Sequence, residues 1–185
     1  MKWSLLAAGA GLTLLVASWV MARDSATTFK THRTGGVSFE YPAGWDIVEP
    51  SAQSQGLSQV LVHASTDRLT DPCRHSSPGE VTCGSPLTRL SRSGALITLY
   101  RRSLASSDFA EVPGQPATIG GRRARIQVRR PGTCETVGGD FTMLALIDSE
   151  QADQYLVISC LRDSNGSGER DTRRLLSSLH FDPEA

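Results

Sequence analysis

Short runs of residues that alternate between apolar and polar, or that are continuously apolar, predict a β-sheet over much of this chain. The runs are residues 37–41, 45–48, 59–64, 95–102, 122–130, 141–148 and 154–161. The first two flank a Pro-Ala-Gly turn, so we expect a hairpin whose aromatic side chains face inward. In the third run, Val60 and Val62 are expected on one face, and Leu61 and His63 on the other. The last two runs are apolar on both faces, which predicts central strands that are covered on both sides.

The apolar spacing changes near the C-terminus, where residues 169–179 follow a glycine-rich segment. The stripe consists of Thr172, Leu175, Leu176 and Leu179. Its i, i+3, i+4, i+7 pattern is typical of a helix that packs one side onto a sheet. We therefore predict an α+β fold, in which a mostly antiparallel β-sheet packs against a C-terminal helix.

Two segments between the strands lack periodicity. Residues 65–92 contain three prolines and predict a long irregular excursion. Residues 106–120 predict a connector with one helical turn near residues 108–111, and the Gly-Gly pair at 120–121 predicts a turn.

The first 22 residues have the pattern of a membrane-targeting segment. Lys2 supplies a short positive start, and residues 4–21 are uncharged and mostly apolar. A signal peptide would be cleaved after Ala22, whereas the length of the apolar run and a tryptophan at each end also fit an uncleaved membrane anchor. With either outcome the rest of the chain lies outside the cytoplasm. We expect a polar stalk over residues 23–34 and a single domain over residues 35–185.

The cysteines are Cys73, Cys83, Cys134 and Cys160, an even number in an exported chain, which favours two disulfides. Their spacing lacks the short C-x-x-C pairs of a zinc site. The first two bracket a loop-forming stretch, so we expect Cys73 to pair with Cys83. Cys134 follows the first strand of an up-down-up meander and Cys160 ends the third, and these two strands end at the same edge of the sheet. We therefore expect these two to pair as well.

Charge and motifs argue against several functional classes. Basic and acidic residues both number 19, so the chain lacks the net positive field of a nucleic-acid-binding protein. Only two of the basic residues are lysines, which is typical of a high-GC bacterial genome. The histidines lack metal-ligand spacing, and no glycine-rich segment has the residues of a phosphate loop or a nucleophile elbow. We therefore expect no cofactor, no metal and no enzymatic activity.

One charged face suggests binding. In the strand over residues 122–130, Arg123, Arg125 and Arg129 project from the same side. Arg101 and Arg102, at the end of another strand, extend this cluster. Arginine side chains arranged in this way bind phosphate, carboxylate or anionic lipid through paired hydrogen bonds. The alternative is a solvated sheet face that charge protects from aggregation.

Residues 37–45, which read V-S-F-E-Y-P-A-G-W, resemble the start of PsbP-like and Mog-like domains, where F-x-Y-P leads by a tight turn to a tryptophan. The order of the predicted elements is similar too. Exported bacterial members of this family include lipoproteins of the LpqN type, although this chain lacks their acylated cysteine. The resemblance implies an antiparallel sheet flanked by helices, and interaction with partners instead of catalysis.

The sequence therefore predicts a non-enzymatic exported domain that binds a protein or a cell-envelope component, either displayed at the membrane or secreted. A second hypothesis, based on the arginine face, is a carrier or sensor of a small anionic or lipid ligand. A third, an envelope hydrolase, is supported by no motif.

Overall fold

The structure is a computed structural model that describes residues 28–52, 58–77, 80–103, 109–130, 132–148, 153–163 and 166–182. The strands are β1 (Phe29–Thr34), β2 (Val37–Pro42), β3 (Asp46–Val48), β4 (Ser58–Ser65), β5 (Cys73–Ser77), β6 (Glu80–Cys83), β7 (Ala95–Ser103), β8 (Gln115–Ile119), β9 (Arg122–Arg129), β10 (Phe141–Ile147), β11 (Asp153–Leu161) and β12 (His180–Phe181). The helix α1 spans Ser167–Ser178, and 3₁₀ turns span Phe109–Glu111 and Thr133–Val137.

The main sheet is antiparallel and has the strand order β3-β4-β7-β11-β10-β9-β8. β9, β10 and β11 form the predicted up-down-up meander, and β11 lies at the centre of the sheet. A smaller sheet has the order β1-β2-β12, and β5 pairs with β6 in a separate ribbon. The described residues thus confirm a mostly antiparallel sheet with a C-terminal helix.

The helix α1 covers one face of the main sheet with the predicted apolar stripe. Thr172, Leu175 and Leu176 are buried, as is Leu179 at the end of the helix. Their neighbours in the core come from four strands: Phe39, Val62, Ala64, Ile97, Leu99 and Val157. Burial of this stripe is what holds the helix on the sheet, since an isolated helix of this length is marginal in water.

The prediction of a stalk is wrong for residues 29–34, which form β1 and pair with β2. Gly35 and Gly36 connect the two strands with φ angles of +52° and +76°. A Gly-Gly loop of two residues is a strong hairpin signal, because glycine adopts positive φ without steric cost. The polar composition of β1 concealed this signal. Residues 23–27 lie outside the described residues.

β2 and β3 do not form the predicted hairpin. The turn exists, since the Trp45 backbone N–H donates to the Pro42 carbonyl at 2.9 Å. However, β2 pairs with β1 and β12, whereas β3 pairs with β4 in the main sheet. The turn therefore carries the chain from one sheet to the other. Phe39 and Trp45 are still buried, as predicted, and belong to the same core.

A β-bulge changes the faces predicted for β4. Its register with β7 shifts by one residue between Val60 and Val62, so Leu61 is an extra residue in this strand. Val60 and His63 consequently line one cavity, on the face away from α1. Val62 packs in the core beneath the helix. The predicted alternation is wrong because a bulge reverses the faces on one side of it.

Three strands lie in segments that we predicted to be irregular. β8 contains Pro116 and is an edge strand, the position in a sheet where proline is tolerated. β5 and β6 form a ribbon within residues 65–92, closed by a disulfide between Cys73 and Cys83. The second disulfide joins Cys134 to Cys160, so both predicted pairings are confirmed. Two disulfides indicate an oxidising, extracytoplasmic environment.

Within the described part of the chain, no helix has the length and hydropathy of a membrane span. The predicted targeting segment, residues 1–22, lies outside the described residues.

Candidate functional site

The face of the main sheet opposite α1 is only partly covered, and we call it the open face. Directly paired residues of an antiparallel sheet point to the same side, so the register assigns side chains to this face. One row across it contains Arg125, Leu146, Leu156 and Tyr100; the next Gln127, Leu144, Ile158 and Thr98; and the third Arg129, Thr142, Cys160 and Leu96.

A second apolar cluster covers one end of the open face. It includes Leu69, Leu87, Leu90, Leu96, Val137 and the Cys134–Cys160 disulfide. The cover comes from residues 65–92 and from the 3₁₀ turn Thr133–Val137, and it reaches only this end of the sheet. We predicted that β10 and β11 are covered on both sides, and this is wrong for the remainder of the open face.

The uncovered part is a groove of about 550 Å³, within the range of roughly 300–1,000 Å³ that small-molecule sites occupy. Its floor consists of four half-buried aliphatic side chains: Leu144, Leu146, Leu156 and Ile158. Val112 and Pro113 form a wall at the β9 side. The arginine rim, as we call it, consists of Arg102, Arg125, Arg129 and Arg130. An apolar floor with a cationic rim suits a ligand that has an apolar part and an anionic part.

The structure divides the arginines that the sequence singled out. Arg125 and Arg129 line the groove, and Arg102 joins them from β7. Arg101, the residue before it, belongs to the alternate positions of β7 and therefore to the opposite face. Arg123 lies on the same side as Arg125 but outside the lining of the groove.

Arg123 has its own partners at the end of β9. Its guanidinium forms an ion pair with Asp148 and lies 5.6 Å from the centre of the Phe109 ring. These contacts tie β9 to the end of β10 and to the 3₁₀ turn Phe109–Glu111. Of the three predicted anion-binding residues, the structure therefore places two, Arg125 and Arg129, at the groove.

Side chains of β9 hold the wall of the groove in place. The Gln127 amide donates to the Pro113 carbonyl and accepts a hydrogen bond from Arg129. The Arg125 guanidinium donates to the Gly114 carbonyl at 3.4 Å. Gly114 approaches β9 so closely that a Cβ atom there would lie 2.9 Å from the Ile126 carbonyl. The hydrogen bonds that hold the wall in place therefore also orient Arg125 and Arg129 of the arginine rim.

Thr142 is a polar residue within the groove lining whose hydroxyl lacks a partner. Its side chain is buried, with 4% of the residue exposed, and Oγ1 makes no hydrogen bond to any described residue. The Ser159 hydroxyl is in the same condition, but it belongs to the opposite face of β11, beneath α1. Each of these hydroxyls therefore carries the desolvation cost of a buried polar group without a partner among the described residues.

Sequence reasoning missed the floor of the groove and Thr142. Part of the signal was present, because β10 and β11 have apolar residues on both faces. However, the apolar pattern of a strand does not show whether another segment of the chain covers that face.

A smaller cavity of about 240 Å³ lies beside the groove on the open face. His63 and Tyr100 line it together with the Cys73–Cys83 disulfide. The His63 Nδ1 atom and the Thr98 hydroxyl are 2.9 Å apart. Burial lowers the pKa of His63 from 6.5 to about 4, an effect that the negative charge of Asp71 only partly opposes. His63 is therefore neutral at ordinary pH.

This neutral histidine predicts a pH-dependent stability. The unfolded chain takes up a proton on the imidazole below about pH 6.5, whereas the folded state does so only near pH 4. Stability should therefore fall as the pH decreases, by about 2 kcal/mol between pH 7 and pH 5. Urea unfolding of the wild type and of His63→Asn, which retains a group able to bond Thr98, measures this. Equal pH dependence of the two proteins would contradict the prediction.

Among the described residues, no group of three or more histidine, cysteine, aspartate or glutamate side chains is placed to bind a metal ion. No protein-family model matches the chain, and no curated protein matches it.

Proposed function

We propose that this chain is a non-enzymatic extracytoplasmic binding domain whose groove holds an anionic amphiphile, a molecule with an apolar chain and a carboxylate or phosphate group. The observation that carries the proposal is the combination of an apolar floor and an arginine rim on one sheet face. Anionic amphiphiles of this kind occur in cell envelopes. A domain that binds one would act as a carrier or a sensor.

The energetics favour a ligand with both parts. Four half-exposed aliphatic side chains lose contact with water when an apolar chain covers them, at roughly 25 cal/mol per Å² of apolar surface. Arginines bind carboxylate and phosphate bidentately, and they do so more strongly beside a surface that excludes water. A neutral lipid would use the floor alone, and an inorganic anion the rim alone.

The chemistry of the lining suits binding. Its side chains are aliphatic, arginine, glutamine and threonine, which are poor general acids and bases at ordinary pH. The resemblance of residues 37–45 to PsbP-like domains supports the same proposal, and we propose membership of that family. Residues 1–22 would then either anchor the domain at the membrane or be cleaved to release it.

Titration calorimetry with short-chain amphiphiles, below their micellar concentrations, tests the proposal. We expect dodecyl phosphate and dodecanoate to bind with micromolar affinity, about −8 kcal/mol. Dodecyltrimethylammonium has the same chain with a cationic head and should not bind in the groove. The protein is used as recovered from an exporting host, so that any retained N-terminal segment contributes equally to every measurement.

A double substitution of the rim provides the matched comparison. Arg125→Gln with Arg129→Gln should weaken dodecyl phosphate binding at least tenfold. Arg68→Gln with Arg92→Gln removes the same charge from exposed positions outside the groove lining and should leave the affinity unchanged. Equal loss in both variants, or equal binding of the cationic amphiphile, would refute the proposal. If the wild type binds none of the amphiphiles but co-purifies with a specific envelope protein, the result would support a protein partner instead.

A further inference from the structure

We infer that the ligand of the groove has an acid group at each end of its apolar chain, and that Arg102 binds the second of these groups. This inference rests on the proposed function and deepens it, because it specifies the class of anionic amphiphile.

The charge of the groove is the first observation. Its lining contains four arginines, and none of the described residues that line it is an aspartate or a glutamate. Positive charge that lines a concave surface raises the local concentration of anions, and it does so more strongly for an anion with two charges. The lining therefore favours a ligand with more than one negative charge.

The arginines of the rim lie on opposite sides of the apolar floor. Arg125 and Arg129 belong to β9, whereas Arg102 belongs to β7. The two strands that carry the floor, β10 and β11, run between them. Three strand spacings separate β7 from β9, a distance of about 14 Å. An acid group at one side of the floor therefore leaves the arginine at the other side available.

Hydrogen bonds hold the arginines of β9 on their own side. Arg125 donates to the Gly114 carbonyl and Arg129 to the Gln127 amide oxygen. Gln127 lies on β9 itself, and Gly114 lies in the wall beside it. A first acid group that binds Arg125 and Arg129 is therefore held at the β9 side of the groove, away from Arg102.

Arg102 is a half-buried cation that lacks a partner. Its guanidinium forms no ion pair and no side-chain hydrogen bond with any described residue. A hydrocarbon chain that ended here would remove water from the guanidinium without supplying an acceptor, which costs free energy. A second acid group at this position supplies the acceptor, in the bidentate geometry that arginine favours.

Chain length is consequently part of the specificity. Dodecanedioate has the chain length of dodecanoate with an acid group at each end, and it should bind about tenfold more tightly. In a groove without a second acid site the order would be reversed, because the additional carboxylate would have to leave water. Butanedioate is too short to span the floor and should not bind measurably.

Titration calorimetry with dodecanedioate and dodecanoate is the test, first on the wild type and then on Arg102→Gln. The substitution should reduce the preference for the diacid from about tenfold to about onefold or below. Arg102→Lys keeps the charge without the bidentate geometry and should retain part of the preference.

Arg101→Gln is the matched control. It removes the same charge one position earlier in β7, from the opposite face of the sheet, and should leave the tenfold preference intact. Because the readout is a ratio of two affinities in the same protein, a general loss of stability does not imitate the expected result.

The outcomes separate this inference from the proposed function. If the wild type binds dodecanoate as tightly as dodecanedioate or more tightly, the second acid site is absent and the proposed function stands. If Arg102→Gln keeps the preference, or Arg101→Gln also loses it, Arg102 does not bind the second acid group and the inference is again wrong. If the wild type binds neither dodecanoate, dodecyl phosphate nor dodecanedioate, both the inference and the proposed function fail.

Discussion

Replacing Cys134 and Cys160 together by alanine should lower the free energy of unfolding by about 3.5 kcal/mol or more. The two residues are 26 positions apart, and closing a loop of that length restricts the unfolded chain by roughly this amount. Packing adds to the loss, because Cys134 is fully buried and Cys160 nearly so, within the second apolar cluster. This disulfide also attaches the 3₁₀ turn Thr133–Val137 to β11 beside the groove.

Urea unfolding followed by the fluorescence of Trp45 measures this loss, because Trp45 is buried in the main core. The control is the double alanine variant of Cys73 and Cys83, which are 10 positions apart in a ribbon of their own. Its chain-entropy loss is about 2.7 kcal/mol, and Cys83 is exposed, so the packing lost with this variant is that of Cys73 alone. Equal losses in the two variants would mean that the second apolar cluster does not depend on its disulfide.

Gly120→Ala should destabilise the fold by about 3 kcal/mol, whereas Gly121→Ala costs only about 1 kcal/mol. Both glycines have positive φ, +57° and +79°, so each substitution strains the turn between β8 and β9. At Gly120 a Cβ atom would also lie 2.6 Å from the Leu179 carbonyl and 2.7 Å from the Phe181 ring. At Gly121 the same atom meets nothing within 4 Å.

The difference between the two variants isolates the close approach of the C-terminal segment to this turn. Thermal unfolding of both proteins, with Gly120→Ser as a second probe of the same position, provides the measurement. Similar losses at the two glycines would contradict the contact and leave only backbone strain.

The elements that periodicity predicted correctly are those whose signal is local. β7, β10 and β11 each bury at least one face along their own length, so alternation or a continuous apolar run marks them. β9 shows the alternation too, although only Ala124 in it is buried. The stripe of α1 is equally local, because residues three and four apart share a helix face. The Cys134–Cys160 pairing followed from a meander of consecutive strands, and the Cys73–Cys83 pairing from the short loop that these two cysteines bracket.

The arginines of β9 show which part of the candidate site a local sequence pattern can predict. Alternation along β9 placed Arg125 and Arg129 on the same side, and the register puts both at the groove. The same alternation included Arg123, which instead pairs with Asp148, a residue at the end of a neighbouring strand. Which arginines line the groove depends on partners in other elements, which alternation within one strand does not reveal.

By itself, the sequence determined the strands of the meander, the C-terminal helix and both disulfides, because short-range periodicity and the order of the strands specify them. Only the tertiary structure decided that β1 joins the fold, that β2 and β3 belong to different sheets, and that Leu61 is a bulge. It also decided that the open face contains an uncovered groove. These features depend on which strands pair through their backbones and on which sheet faces distant segments cover. Neither is specified by the side chains of the residues involved.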